Sequence, residues 1–315
     1  MSKLASPVSK PVALIAGPTA SGKSDLAVDL ALALENAGRS ALVINADSAQ
    51  VYADLKVLSA RPGENDMRGV PHRLFGAWDG AQPCSAADWS DAAKREIENA
   101  HLAGMVPILV GGTGLYLRTL LEGIAPIPAI DKTIRTEVRS LDASALYQAV
   151  QAEDPAAADR LHAGDTQRLA RALEVVRSTG KPLHAWQEKK VGGIGRAITL
   201  APLVLLPDRE WLYERCDRRF ALMMENGAVE EVKRLLTRGL PKDLPVMRAI
   251  GVPQIAAFLR GELSRNEAIA LGQQVTRNYA KRQYTWLRHQ PPEDWTRLSP
   301  ESVDLRTQFE ILFSR

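Results

Sequence analysis

Residues 17–24 read Gly17-Pro18-Thr19-Ala20-Ser21-Gly22-Lys23-Ser24, a Gly-x-x-x-x-Gly-Lys-Ser loop. Nothing else in the sequence constrains the fold as tightly. Such a loop works only between a buried strand and the start of a helix, where its glycines let backbone N–H groups turn inward on phosphate oxygens. The flanks agree. Val12–Ala16 is aliphatic and predicts a strand, while Asp25–Glu35 is rich in Ala and Leu and predicts a helix stopped by Gly38. In this pattern Lys23 reaches terminal phosphates and the Ser24 hydroxyl is placed for Mg²⁺. The loop specifies a phosphate ligand and leaves the reaction open.

Two more continuous aliphatic runs, Ala41–Ile44 and Pro107–Val110, flank a helical stretch from Ala86 to Ala103. Strands of this kind are buried on both faces, as in a parallel sheet covered by helices. The pattern changes at Pro126–Asp131, after which only helical segments follow to about Lys190. A strand pattern returns at Ala197–Leu206, and Arg209 to the end reads as helical. The expected fold is α/β: a P-loop NTPase-like parallel sheet flanked by helices, with an inserted all-helical subdomain. The expected division is a core segment at 11–130, a helical insertion at 131–196, and a return to the core with C-terminal helices at 197–315.

Composition narrows the field. Two cysteines, Cys84 and Cys216, exclude a disulfide framework and a four-ligand zinc finger. Aliphatic runs such as Leu203–Leu206 are far short of the roughly 20 residues that span a bilayer. The first eleven residues carry Lys3 and Lys10 and no apolar stretch, so the expectation is a cytoplasmic protein. The net charge is only +3, so any nucleic-acid footprint must be local.

Asp47 follows the second strand, in Asn45-Ala46-Asp47-Ser48, and ligands in open parallel sheets bind at the carboxyl ends of strands. Three roles compete for it: a Mg²⁺ ligand, a general base, or a turn-forming residue. The third strand runs into Gly111-Gly112-Thr113 and carries no acid to polarise an attacking water, which weakens an ATPase reading. Two tracts have local basic character. Arg168 and Arg171 share a face of a helix capped by Asp165 or Thr166, whose apolar stripe is Leu169, Ala172, Leu173 and Val176. On spacing alone this is a solvated face with an Arg171–Glu174 pair. Residues 271–290 hold Arg277, Lys281, Arg282 and Arg288 with no acid, interleaved with Tyr279, Tyr284 and Trp286, a stripe suited to phosphate contact. Trp286 is assigned to packing.

Taken together, GPTASGKS (17–24), NADSAQVY (45–52), PHRL (71–74), GGTGLY (111–116), DTQRLARALEV (165–175), RAIG (248–251) and AKRQYTWLR (280–288) resemble the tRNA dimethylallyltransferase family, bacterial type. The resemblance implies transfer of a dimethylallyl group from dimethylallyl diphosphate to N6 of the adenosine immediately 3′ of the tRNA anticodon, position 37, with release of diphosphate. It implies Mg²⁺ as cofactor, with Ser24 as its protein ligand, and a monomer acting on the anticodon stem-loop. Gly17 to Ser24 would hold the donor's diphosphate, with Arg215 and Arg219 assisting Lys23. Asp47 would take the N6 proton, and Thr113 would contact the diphosphate. Ser48, Ala49 and Gln50 would flank the adenine. The tRNA-contacting set would add Arg135, Gln167, Arg168, Leu169, Ala170, Arg171, Arg248, Gly251, Lys281 and Arg282. The sequence departs from the family at Val252-Pro253 and at Leu58-Ser59-Ala60-Arg61-Pro62. Rival readings are a P-loop nucleoside or nucleotide kinase, a prenyltransferase acting on free adenine nucleotides, and a non-catalytic RNA-binding module.

Overall fold

The computed structural model describes residues 10–314, so Lys3 and the rest of residues 1–9 lie outside the described residues. Its strands are β1 (Pro11–Ala16), β2 (Ala41–Asn45), β3 (His72–Arg73), β4 (Val106–Gly111), β5 (Gly123–Ile124), β6 (Val191–Gly192), β7 (Thr199–Leu205) and β8 (Thr296–Leu298). The chain folds into two compact units, one formed by the residues up to Leu120 and from Ile194 onward, the other by Leu121–Gly193.

The larger unit is built on a sheet ordered β3-β2-β4-β1-β7-β8, with every pairing parallel. β1 lies between β4 and β7, with Ile15 opposite Val110 on one side and Leu203 on the other. Strands β1, β2 and β4 are buried from end to end but for Pro11, which is why their sequences are unbroken aliphatic runs. Ala13, Ile15, Val43, Ile108 and Leu203 share one core with Val28, Leu30 and Leu34 of the helix Lys23–Asn36. The parallel arrangement delivers the loops after β1, β2 and β4 to one edge of the sheet. The end of β2 is fixed from the side: Trp89 is fully buried, stacks on Tyr116 at 4.5 Å, and donates its indole N–H to the Asn45 carbonyl at 2.8 Å.

Two elements depart from the sequence expectation. β8 lies in the stretch expected to be helical, yet it pairs with β7, and Leu206 N–H donates to Leu298 O at 2.8 Å. β3 extends the other edge. Strands of three and two residues are too short to show a periodicity, and only their sheet partners define them.

The Leu121–Gly193 unit is mainly helical and closed by the antiparallel β5–β6 pair. Its helices Lys132–Ser140, Ala143–Glu153 and Thr166–Thr179 begin at Asp131, Asp142 and Asp165, whose carboxylates accept first-turn backbone N–H groups. Val138, Leu146, Val150, Leu169, Ala172 and Leu173 form its own core. Gly180, at φ +67°, ends the last of these helices in the left-handed conformation that glycine adopts without strain.

Candidate active site

The 17–22 loop is shaped by close backbone approach. Gly17 N–H donates to Gly111 O at 3.1 Å, and a Cβ at Gly17 would stand 2.5 Å from Ser21 Oγ. Gly22 precedes the helix Lys23–Asn36 at φ +87°. Ser21 is fully buried and its hydroxyl has no hydrogen-bond partner in the protein. Lys23 is 7% exposed, with Nζ 3.4 Å from Pro18 O and 3.8 Å from Asp47 Oδ2. Burial lowers its pKa, Asp47 opposes that shift, and the Arg219 charge adds to it.

Asp47 is 5% exposed. Its Oδ1 accepts Ala49 N–H at 3.0 Å, and the Asn45 side chain braces the turn by accepting Asp47 N–H at 2.9 Å and donating to Asp47 O and Leu74 O. Oδ2 is left toward Lys23. Thr113 Oγ1 accepts Ser48 N–H at 2.9 Å and donates to Ser48 Oγ at 3.1 Å, which places the hydroxyl beside the Asp47 turn. That approach requires glycine at 111, where a Cβ would run into the Ala46 carbonyl. Lys23, Ser24, Asp47 and Thr113, named from loops far apart in sequence, thus meet at the edge of β1, β2 and β4.

Arg215 and Arg219 reach the loop from the helix Arg209–Glu225. Arg215 Nε donates to Ala20 O at 3.0 Å, and an Arg219 Nη hydrogen-bonds Thr19 Oγ1. Burial lowers the Arg219 pKa, and the neighbouring Cys216 and Asp47 oppose that shift. The cavity beside these cations also has apolar walls: Leu55, Leu58, Phe220, Met223 and Ile250 line it together with Thr19, Lys23, Ser24 and Asp47. A second depression opens on the other side of Tyr279, lined by Ser48, Ala49, Tyr52, Arg248 and Arg282 among others. Tyr279 lines both; burial raises its phenol pKa, with the Asp47 charge adding to the rise.

The remaining predicted residues are placed as follows. The Gln50 side chain donates to Ser59 O and Ala60 O, so it organises the adjoining loop. Gly251 sits at φ +93°, and a Cβ there would press on Leu58. Lys281 is exposed, whereas Arg277 of the same tract is paired with Asp217 at 2.5 Å and adds no free charge to the stripe. Trp286 packs against Gly114. Within the smaller unit, Arg135, Gln167 and Arg168 are exposed, and Ala170 and Arg171 are half-buried. Leu169 is 0% exposed and its side chain belongs to that unit's core, as its place in the apolar stripe predicts. Arg168 and Arg171 line one cleft with Arg160 and His184, and the Arg171–Glu174 pair stands at 3.8 Å.

Sequence reasoning missed Gln283. It is 5% exposed on the helix Arg265–His289, accepts Thr19 N–H at 2.8 Å and donates to Gly112 O at 3.1 Å, joining the phosphate loop to the Gly111-Gly112-Thr113 loop. A glutamine has no local signature for such a task.

Comparison with known proteins gives this edge a context. The family described as IPP transferase matches residues 50–290, and a related one, Isopentenyl transferase, matches residues 10–77. The chain is 65% identical over 303 residues to the tRNA dimethylallyltransferase of Erythrobacter litoralis, covering 96% of each chain. It is 66% identical over 268 residues to that of Novosphingobium aromaticivorans, covering 85% of this chain and 95% of the other. Among solved structures it resembles the tRNA isopentenylpyrophosphate transferase of Bacillus halodurans at TM-score 0.68 and 32% identity, covering 96% and 94% of the two chains. It also resembles a eukaryotic dimethylallyltransferase acting on tRNA at TM-score 0.75 and 29% identity, covering 89% and 70%. Likeness of this extent, in sequence and in fold alike, places the chain in the IPP transferase family, with the tRNA dimethylallyltransferases.

Proposed function

We propose that this protein transfers the dimethylallyl group of dimethylallyl diphosphate to N6 of adenosine 37 in the anticodon stem-loop of tRNA, acting as a monomer in the cytoplasm and releasing diphosphate. The observation that carries the reading is one cavity with two chemistries. Thr19 of the phosphate loop, Lys23 and Arg219 line the same space as Leu55, Leu58, Phe220 and Met223, with Asp47 on its wall. A nucleoside kinase has little use for an apolar wall beside its phosphate loop; an isoprenyl diphosphate needs both linings.

The chemistry follows from the parts. An exocyclic adenine amine is a weak nucleophile because its lone pair is delocalised into the ring. Asp47, oriented by Ala49 N–H and Asn45, takes the N6 proton as the N6–C1 bond forms and the C1–O bond to diphosphate breaks. The leaving diphosphate gathers charge, which backbone N–H groups of the loop, Lys23 and Arg219 offset. Among the described residues no three or more His, Cys, Asp or Glu side chains cluster to hold a metal. Ser24, with Asp25 and Asp66 in the same cleft, offers sparse hard oxygen donors. That suits Mg²⁺, which keeps waters and takes substrate phosphate oxygens. Bound there through Ser24, Mg²⁺ supplies further neutralisation of the diphosphate.

The RNA side draws on Arg248, Arg282 and Lys281 in the larger unit and on Arg135, Gln167, Arg168 and Arg171 in the smaller one. A base within a stem-loop must leave its stack to reach a recessed carboxylate. The test is transfer of label from dimethylallyl diphosphate to an anticodon stem-loop without ATP. Labelled RNA is the expected result. Phosphorylated product from ATP, or label only in free adenine nucleotides, would overturn the proposal.

A further inference from the structure

The turn Lys56–Leu58 presents three successive backbone N–H groups to one buried carboxylate. Glu231, 3% exposed on the helix Ala228–Thr237, accepts Lys56 N–H at 2.5 Å and Val57 N–H at 2.9 Å on Oε1, and Leu58 N–H at 2.9 Å on Oε2. Hydrogen bonds to an ionised acceptor are about twice as strong as neutral ones. The same helix is tied a second time just past its end, where Arg238 pairs with Asp54 and Asp79. Past the turn, Ser59 Oγ donates to Leu55 O at 2.6 Å and Gln50 holds Ser59 O and Ala60 O.

This segment is a wall of the donor cavity. Leu55, Leu58, Ser59 and Ala60 face the space shared with Lys23 and Asp47. Leu58 lies against Gly251, where a Cβ would stand 2.7 Å from it and 3.1 Å from the Phe220 ring, and that ring is packed so closely on Gly272 that a Cβ there would run into it. We infer that Glu231 is a positioning residue: it fixes the apolar wall and, through Leu58, sets how tightly an isoprenyl chain is held and how long a chain is admitted. The inference rests on the prenyl-transfer reading and extends it to donor selectivity. A carboxylate is required because three N–H donors converge on it; an amide of the same shape has one acceptor oxygen and turns its NH₂ toward a further N–H.

The experiment compares full-length wild type, Glu231→Gln and Leu58→Ala by calorimetric titration with inorganic diphosphate, dimethylallyl diphosphate and geranyl diphosphate. Inorganic diphosphate touches the phosphate loop alone and reports whether the site is folded. For Glu231→Gln we expect its affinity to stay within about twofold while that for dimethylallyl diphosphate falls about tenfold or more, the scale of a lost charge-assisted hydrogen bond. The preference for dimethylallyl over geranyl diphosphate should narrow by a similar factor. Leu58→Ala should narrow it too, with Glu231 untouched, and it decides the matter if Glu231→Gln does not fold. Unchanged dimethylallyl affinity and preference in folded Glu231→Gln, or equal losses for all three ligands, would overturn the inference while leaving the proposed reaction standing. Unchanged preference in Leu58→Ala would overturn it as well. Wild type that binds dimethylallyl diphosphate no better than inorganic diphosphate would overturn the prenyl reading itself, and this inference with it.

Discussion

Replacing Gln283 with leucine removes a side chain that joins the phosphate loop to the Gly111-Gly112-Thr113 loop. Gly112 C=O, which is buried, and Thr19 N–H, which is half-buried, then lose partners now met at 3.1 and 2.8 Å. An unmet buried polar group costs about 1–3 kcal/mol and a half-buried one less, so a loss of roughly 1–4 kcal/mol is divided between stability and loop geometry. For a domain of this size each kcal/mol moves Tm by about 2–4 °C, so a fall of about 2 °C or more is expected. Since about 1.4 kcal/mol is tenfold, kcat/KM for the prenyl donor should drop by about tenfold to a hundredfold. Gln283→Glu separates the two contributions. It keeps an acceptor for Thr19 N–H, loses the donor to Gly112 O, and adds a negative charge beside the proposed diphosphate site. It should therefore melt closer to wild type than Gln283→Leu while binding the donor worse. Thermal unfolding and initial rates at varied donor concentration give both readouts. A Gln283→Leu protein with unchanged Tm and donor kcat/KM within twofold of wild type would refute the reasoning.

Lys23 supplies a pH signature. Burial lowers its pKa in the free protein, and a bound diphosphate favours the charged form and raises it again, so at pH values between the two pKa values binding takes up a proton. Affinity for diphosphate should be complete below the lowered free-state pKa and decline as pH rises through the bound-state value; titration in buffers of different ionisation enthalpy detects the uptake. If the proposed RNA contacts hold, Arg168→Ala and Arg282→Ala should each weaken tRNA binding and flatten the log Kd against log[salt] slope by about 0.7–0.9 for each phosphate no longer neutralised. An unchanged slope removes that arginine from the footprint.

The sheet was legible because β1, β2 and β4 are buried runs and β7 is mostly aliphatic, with helices between, and the phosphate loop announces its own strand and helix. Asp47 and Thr113 were legible because parallel strands carry their following loops to a common edge. β8 was not, since three residues carry no period and their pairing with β7 joins segments far apart along the chain. Gln283 and Glu231 escaped for a related reason: a glutamine and a glutamate on helices look like solvent-facing residues until tertiary packing buries them against Thr19 and Lys56. Charge counting also misjudged the 271–290 tract, because Asp217, which neutralises Arg277, lies sixty residues upstream. The apolar stripe at Leu169, by contrast, could be read from spacing, and its burial in the smaller unit follows that spacing.

The proposed reaction depends on Asp47 as the group that readies the adenine amine. Asp47→Asn preserves an acceptor for Ala49 N–H and so the turn itself, while removing the base. Single-turnover transfer from dimethylallyl diphosphate to an anticodon stem-loop should slow by about a hundredfold or more, with stem-loop affinity within about twofold of wild type. An Asp47→Asn protein that transfers the group at the wild-type single-turnover rate would contradict the account.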